Sequence, residues 1–201
     1  MGGWFLASGR SYCTECSVLV QPSARAAVRW FRKSAMAGNA DGQNYLAGCL
    51  SSGNGVMRDD AEALRWYKRA VRGERNFCAV MNLAKFYRDH GNHRRAMFWH
   101  QRAASWGDGD AFVEVGRSYY AGVGVKRDPQ RGVRCFRKAI RSENITQWGR
   151  EDAMYSLALA FHEGPGVRKS DGLTMKWLLH GTRTGISSGS ESACCALRRR
   201  R

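Results

Sequence analysis

The sequence predicts an all-α solenoid built from antiparallel helix pairs, and three observations carry that prediction. A motif of the type Trp-aromatic-basic-basic-small recurs at Trp30, Trp66, Trp99, Cys135 and Trp177, at intervals of 36, 33, 36 and 42 residues. A second column, Leu46, Leu83, Val115 and Leu157, lies upstream of the last four motifs. Between the two columns stand Gly53-Asn54-Gly55-Val56, Gly122-Val123-Gly124-Val125 and Gly164-Pro165-Gly166-Val167. Self-similarity at a period of roughly 20 to 50 residues is the signature of a repeat array rather than of a single closed core.

Each repeat reads as two helices, A and then B. In the A helix the Leu column is followed by a small residue (Ala47, Ala84, Gly116, Ala158) and, four positions on, by Leu50, Tyr87, Tyr119 or Phe161. Spacings of three and four put these residues on one helical face. In the B helix the position three before the Trp column is always small: Ala27, Ala63, Ala96, Gly132 and Thr174. Small residues beside bulky ones allow two helices to approach closely, with the aromatic columns filling the layer between repeats.

Glycines in the connecting loops permit the positive φ that ends a helix, and the Val docks the loop on the core. The B helices then start at good caps: Asp59 or Asp60, Asp128 ahead of Pro129, and Ser170 or Asp171. The repeats span about 4–38, 39–73, 74–107, 108–142 and 151–185. Gly9-Arg10-Ser11-Tyr12 restates Gly116-Arg117-Ser118-Tyr119, so the first repeat is expected to carry a truncated A helix. The third has a shortened loop, Asp89-His90-Gly91-Asn92-His93. About six extra residues around Glu143 to Arg150 are expected to form a surface excursion. Residues 186–201, Ser/Gly-rich and then Arg-rich, lack periodicity and read as a disordered tail.

The columns Asp41-Gly42-Gln43 to Val56 and Ala63-Leu64-Arg65-Trp66-Tyr67-Lys68-Arg69-Ala70, with their counterparts from Gly107 to Ile140, resemble the Sel-one-like repeat (SLR) family, relatives of the tetratricopeptide repeat. The resemblance covers roughly residues 4–185. It implies a right-handed α-solenoid and a role as an adaptor or scaffold in protein-protein interaction. Some secreted members stitch helix A to helix B with disulfides in every repeat. Here Cys49, Cys78 and Cys135 occupy three different columns, so that pattern is not expected.

Composition narrows the class further. The 33 Lys+Arg against 17 Asp+Glu give a formal charge of +16, which favours acidic partners and contact with nucleic acid or anionic membrane. Seven cysteines, an odd number, cannot form a complete internal disulfide framework, and reduced thiols are expected. The Met-Gly-Gly-Trp-Phe-Leu-Ala start lacks a basic n-region, and no stretch approaches the roughly 20 apolar residues of a membrane span. A cytoplasmic setting is the expectation. Gly2 suggests myristoylation, but Leu6 stands where that motif wants Ser or Thr.

No catalytic constellation emerges, so the chain is not expected to be an enzyme, to hold a metal or cofactor, or to turn over a small-molecule substrate. Cys13-Thr14-Glu15-Cys16 and His90-Gly91-Asn92-His93 have ligand types suited to zinc, but two repeats of roughly 10 Å each separate them. Gly185-Ile186-Ser187-Ser188-Gly189 matches a nucleophile elbow without the strand and helix that motif needs. Cys194-Cys195 beside Arg198 to Arg201 could serve as a palmitoylated polybasic anchor, read here as a solubilising tail instead. Asn144-Ile145-Thr146 would be a glycosylation site only in a secreted chain.

With the Leu column facing the B helices, positions two and five away on either side point to the opposite, concave face, the usual ligand surface of solenoids. They include Asp41, Asn44, Lys85, Arg88, Asp110, Arg117, Tyr120, Asp152, Tyr155 and His162. Asn44, Lys85, Arg88, Arg117, Tyr120, Tyr155 and His162 are the expected partner-binding residues. Their cations and aromatics suit a protein or peptide partner with an acidic segment or a C-terminal carboxylate. The alternative is a basic-surface binder of nucleic acid or anionic membrane. It would use Arg29, Arg32, Lys33, Arg65, Lys68, Arg69, Arg134, Arg137 and Lys138, which recur along the B helices and read first as a solvated outer face.

Overall fold

The computed structural model describes residues 4–7, 10–13, 19–20, 23–72 and 75–183, with side chains from 23 to 72 and from 75 to 180. The glycine-serine motif, the paired cysteines 194 and 195 and the rest of the expected tail lie outside the described residues, as does Cys16. Among the described residues nine helices follow three short strands. They are α1 (Ala24–Met36), α2 (Ala40–Ser52), α3 (Asp60–Ala70), α4 (Phe77–Asp89), α5 (His93–Ser105), α6 (Gly109–Ala121), α7 (Pro129–Arg141), α8 (Gln147–Glu163) and α9 (Asp171–Arg183). None is long and apolar enough to cross a membrane.

The helices pair as the repeats require, A helices α2, α4, α6 and α8 alternating with B helices α1, α3, α5, α7 and α9. They fall in two compact units, Met1–Asn82 and Leu83–Arg201. In the first, α2 packs on both α1 and α3; in the second, contacts run α5 to α6, α6 to α7, α7 to α8 and α8 to α9. Among the described residues no helix precedes α1 where a truncated first A helix is expected. Strands β1 (Trp4–Ala7), β2 (Arg10–Cys13) and β3 (Leu19–Val20) stand there instead, antiparallel in the order β1-β2-β3. Ser8, Gly9, Ser11, Cys13, Thr14, Ser17 and Val18 are poor helix formers, which outweighs the four residues that echo α6.

Capping sets the helix boundaries. Asn39, Asp59, Asn92, Asp108, Asp128 and Thr146 each accept a hydrogen bond from a backbone N–H of the first turn. Ser170 does the same for Leu173. Gly53, Gly122 and Gly164 end α2, α6 and α8 in the left-handed region, as the loop motif requires. The second glycine of each loop does something more. A Cβ at Gly55, Gly124 or Gly166 would lie 2.4, 2.5 or 2.6 Å from the backbone of Ala24, His93 or Pro129. Each loop therefore presses on the start of the B helix of the preceding repeat.

The core column is the residue after each Trp. Tyr67, His100, Phe136 and Leu178 are buried and Phe31 is half-buried, while in the Trp column itself Trp66 is buried, Trp99, Cys135 and Trp177 are half-buried and Trp30 is 68 % exposed. Apart from buried Trp66, the Trp column lies at the edge of the core, and a cation three residues on rests over the ring. Lys33 stands 5.0 Å from Trp30, Arg69 5.1 Å from Trp66 and Arg102 5.3 Å from Trp99. Cys135 takes that edge position in its repeat, and burial pushes its thiol pKa up. Helix α6 approaches its own B helix closely at Gly116, where a Cβ would fall 2.6 Å from Phe136.

The insertion before α8 is not a loose excursion. Gln147 to Arg150 form an extra helical turn, and Ile145 packs on the cluster of Val113, Val133, Phe136, Ala153 and Leu157. Asn144 O accepts from Gly109 N at 2.6 Å, Ser142 Oγ donates to Gly107 O, and Thr146 Oγ1 donates to Asp110 Oδ1 at 2.7 Å. Gly109 must lack a side chain because its Cβ would overlap Ile145.

Candidate functional site

The candidate site is the face of the second unit lined by α4, α6 and α8. Their Leu-column residues Leu83, Val115 and Leu157 turn inward, with exposures of 0, 5 and 0 %. Turned outward are Lys85 and Arg88 on α4, Arg117 and Tyr120 on α6, and His162 on α8. All of them are exposed except Tyr120, which is half-buried.

A polar ladder runs across this face. Arg88 Nη1 donates to Glu114 Oε2 at 3.1 Å, and Arg117 Nη1 lies 3.4 Å from Glu114 Oε1. Arg117 Nη2 then reaches Asp152 Oδ1 at 2.5 Å. Farther along, Tyr120 Oη donates to Glu163 Oε2 at 3.0 Å. One A helix is thereby tied to the next, and Arg88, Arg117, Tyr120 and Asp152, all placed on the ligand face by sequence position, are engaged in the tie. Lys85, Tyr155 and His162 make no such bond or ion pair among the described residues. Arg88 and Arg117 remain 42 and 44 % exposed, which leaves N–H donors of each guanidinium open to an incoming acid.

The titrations reflect burial more than charge. Burial raises the Asp152 carboxyl above its ordinary value, against the pull of Arg117, and its Oδ2 is buried with no hydrogen-bond partner among the described residues. Burial and the bond to Glu163 push Tyr120 up to about 12. Behind the ladder, His100 on α5 is 3 % exposed with neither ring nitrogen hydrogen-bonded among the described residues. Burial lowers its pKa, with Glu114 opposing and Arg88 assisting.

Three residues of the expected stripe, Asn44, Asp41 and Asp110, have another role. In the first unit Asn44 is 4 % exposed and accepts a hydrogen bond from Asn82 Nδ2 of α4 at 3.0 Å. Val113, its counterpart on α6, is 2 % exposed in the cluster with Ala153 and Leu157 of α8. The position two before the Leu column therefore faces the following repeat. Tyr155 holds that position on α8 and is 40 % exposed. Of the acidic positions in the stripe, Asp41 accepts from Nδ2 of Asn76, just ahead of α4, at 2.8 Å and Asp110 accepts from Thr146, just ahead of α8, so they too tie one A helix to the start of the next. Glu114 and Glu163 were not singled out from the sequence, although Glu114 stands three residues before Arg117.

Elsewhere, an open cleft of about 510 Å³ is lined by His90, Gly91, Asn92, His93, Arg94 and Gly124. His90 there stacks on Phe86 with centroids 4.1 Å apart, and its Nδ1 pairs with Phe86 O. No group of three or more metal-ligating side chains occurs among the described residues.

Comparison with known proteins places this geometry. The family model of the Sel1 repeat matches residues 4–39, 40–73, 81–108, 113–144 and 151–179. The structure is similar to that of a Sel1 repeat protein from Oxalobacter formigenes. The TM-score is 0.68 and the identity 26 %, over 81 % of this chain and 64 % of that one. It is also similar to c5321, a protective antigen of uropathogenic Escherichia coli strains with an SLR fold. There the TM-score is 0.64 and the identity 27 %, over 82 % of this chain and 38 % of that one. The chain thus spans less than two thirds of either protein's length.

Proposed function

The chain belongs to the Sel1 repeat family, and on that premise we propose that it is a protein-protein interaction scaffold that holds an acidic segment of its partner on the concave face of the A helices. The observation that carries this reading is the set of uncommitted groups beside the ladder. Lys85 and His162 are exposed with no ion pair among the described residues, flanking half-exposed Arg88 and Arg117. A carboxylate laid along this face would gain charge-assisted hydrogen bonds without breaking the ladder. Tyr120 adds an aromatic edge already oriented by Glu163. Partner capture should fall at least tenfold when Lys85→Glu and His162→Glu are combined, with thermal unfolding unchanged. Undiminished capture would place the partner elsewhere.

A second reading has one specific observation in its favour. None of Arg29, Arg32, Lys33, Arg65, Lys68, Arg69, Arg134, Arg137 and Lys138 forms a salt bridge among the described residues. The B-helix charge is therefore not neutralised from within. Nucleic acid or an anionic membrane would exploit it, and such binding would fall steeply with salt. RNA or acidic vesicles retained equally at low and high salt would dispose of this alternative.

A further inference from the structure

The residue just before the Trp column is a cation in four repeats, Arg29, Arg65, Arg134 and Lys176, and a phenylalanine, Phe98, in the third. All five are exposed, and Phe98 shows 58 % of its surface to solvent. Its neighbours one turn away on α5 are Arg94, Arg95, Gln101 and Arg102, which are exposed as well. Helix α5 contains no Asp or Glu, and none of its three arginines forms a salt bridge among the described residues. An apolar ring therefore stands within a cationic surface that nothing on its own helix neutralises.

Contacts with rings hold two of these cations. Arg95 lies 5.5 Å over the Tyr87 ring, and Arg102 lies 5.3 Å from the rings of both Trp99 and Trp106. Phe98 itself meets Trp99 edge to face, with centroids 5.3 Å apart and planes at 82°. A guanidinium resting over an aromatic ring keeps the N–H donors at its edge, and those of Arg95 and Arg102 meet no acceptor among the described residues. Arg94, one turn before Phe98, also lines the open cleft of about 510 Å³ with His93 and Gly124. Cationic donors thus flank the exposed ring on both sides along the helix.

We propose that this face of α5 binds single-stranded nucleic acid, one base stacking on Phe98 while Arg94, Arg95 and Arg102 hold the adjoining phosphates. The surface is separate from the concave A-helix face and from the nine B-helix cations named above, none of which lies on α5. An exposed ring alternating with positioned cations is the pattern that a strand of bases and phosphates fits. An acidic peptide would engage the arginines and make no use of Phe98. A membrane would gain little from one projecting ring, since interfacial helices bury a broad apolar face.

The test is fluorescence anisotropy of the full-length protein with two end-labelled strands of equal length and charge, oligoadenylate and an abasic strand, at one salt concentration. The abasic strand measures what phosphate attraction alone supplies. Oligoadenylate should bind at least fivefold more tightly. Phe98→Lys gives the third repeat a cation at this column like the others, so it adds charge, yet it should remove that difference; Phe98→Trp should keep it. Equal binding of the two strands by the unaltered protein would overturn the proposal, and so would a base preference that survives Phe98→Lys. Retention by phosphatidylserine vesicles without oligoadenylate binding would assign the face to a membrane instead. Polyglutamate that displaces labelled oligoadenylate as readily as unlabelled oligoadenylate does would assign it to an acidic protein segment, and either result also overturns the proposal.

Discussion

Arg117 Nη2 lies 2.5 Å from Asp152 Oδ1, and through this pair the A helix of one repeat is locked to the A helix of the next. The Asp152 side chain is only 11 % exposed and its other oxygen is unpaired among the described residues, so Arg117 compensates a carboxylate that burial disfavours. Removing the cation from a pair whose carboxylate is buried costs more than the bond contributes, because that carboxylate is left desolvated and unpaired. Arg117→Ala should destabilise the protein by about 1–3 kcal/mol. Asp152→Asn in the same chain should recover part of that loss. Denaturant titration of the double-mutant cycle measures both, and an additive cycle would mean that the pair is not coupled.

His100 predicts an acid-sensitive core. The corresponding residues are Phe31, Tyr67, Phe136 and Leu178, none of which ionises near neutrality. Burial holds the His100 pKa below its ordinary 6.5, so the unfolded chain takes up a proton where the folded one does not. Stability is complete above about pH 6.5 and falls as pH drops below it toward the depressed value. Glu114, which favours the cation, and Arg88, which opposes it, set how far the window extends. His100→Phe should raise stability at pH 7.5 by about 1–3 kcal/mol by removing two unpaired buried nitrogens. It should also flatten the profile between pH 7 and 5. Thermal melts across that range decide it; equal pH slopes in both proteins would contradict the assignment.

Gly124 and Gly91 form a matched comparison. Both have positive φ, +75° and +72°, but only Gly124 meets a backbone neighbour, His93 O, at 2.5 Å from an added Cβ. Gly91→Ala should cost only the left-handed conformation, about 1–2 kcal/mol. Gly124→Ala should cost clearly more, because the loop must also withdraw from α5. If urea midpoints shift equally for the two variants, the loop does not brace the preceding repeat.

The B-helix cations over the Trp column are expected to act through packing. Substituting Arg69 or Arg102 by Lys keeps the charge and loses the planar stack over Trp66 or Trp99. The expected loss is about 0.5–1 kcal/mol, largely insensitive to salt. A loss abolished by 0.5 M salt would instead indicate a plain surface charge effect.

The sequence revealed whatever is governed by local periodicity. The Leu column, the caps at Asp59, Asp128 and Ser170, and the left-handed turns at Gly53, Gly122 and Gly164 depend on residues three to seven apart. Contacts between repeats were harder to read, because a residue's neighbour there is some 35 positions away. Asn44 and Val113 satisfy the pattern of an outward stripe yet meet the following A helix. Large apolar character does not tell the Trp column from the residue after it, yet the latter is the more consistently buried, and the cation at i+3 over Trp30 and Trp99 marks the Trp as an edge position there. The insertion around Asn144 and Ile145 carries no turn signal that would have shown it folding back on Gly109. Residues 4–20 misled for the opposite reason, since a short echo of α6 was weighed above weak helix propensity.

Site-specific photo-crosslinking tests the central proposal most directly. With p-benzoylphenylalanine at Lys85 on the A-helix face, and separately at Lys68 and Arg137 on the B helices, irradiation in cells reports which surface touches the partner. The account predicts a discrete protein adduct from position 85, lost when His162→Glu is added, and none from 68 or 137. Adducts confined to the B-helix positions, whether to protein, RNA or lipid, would contradict it.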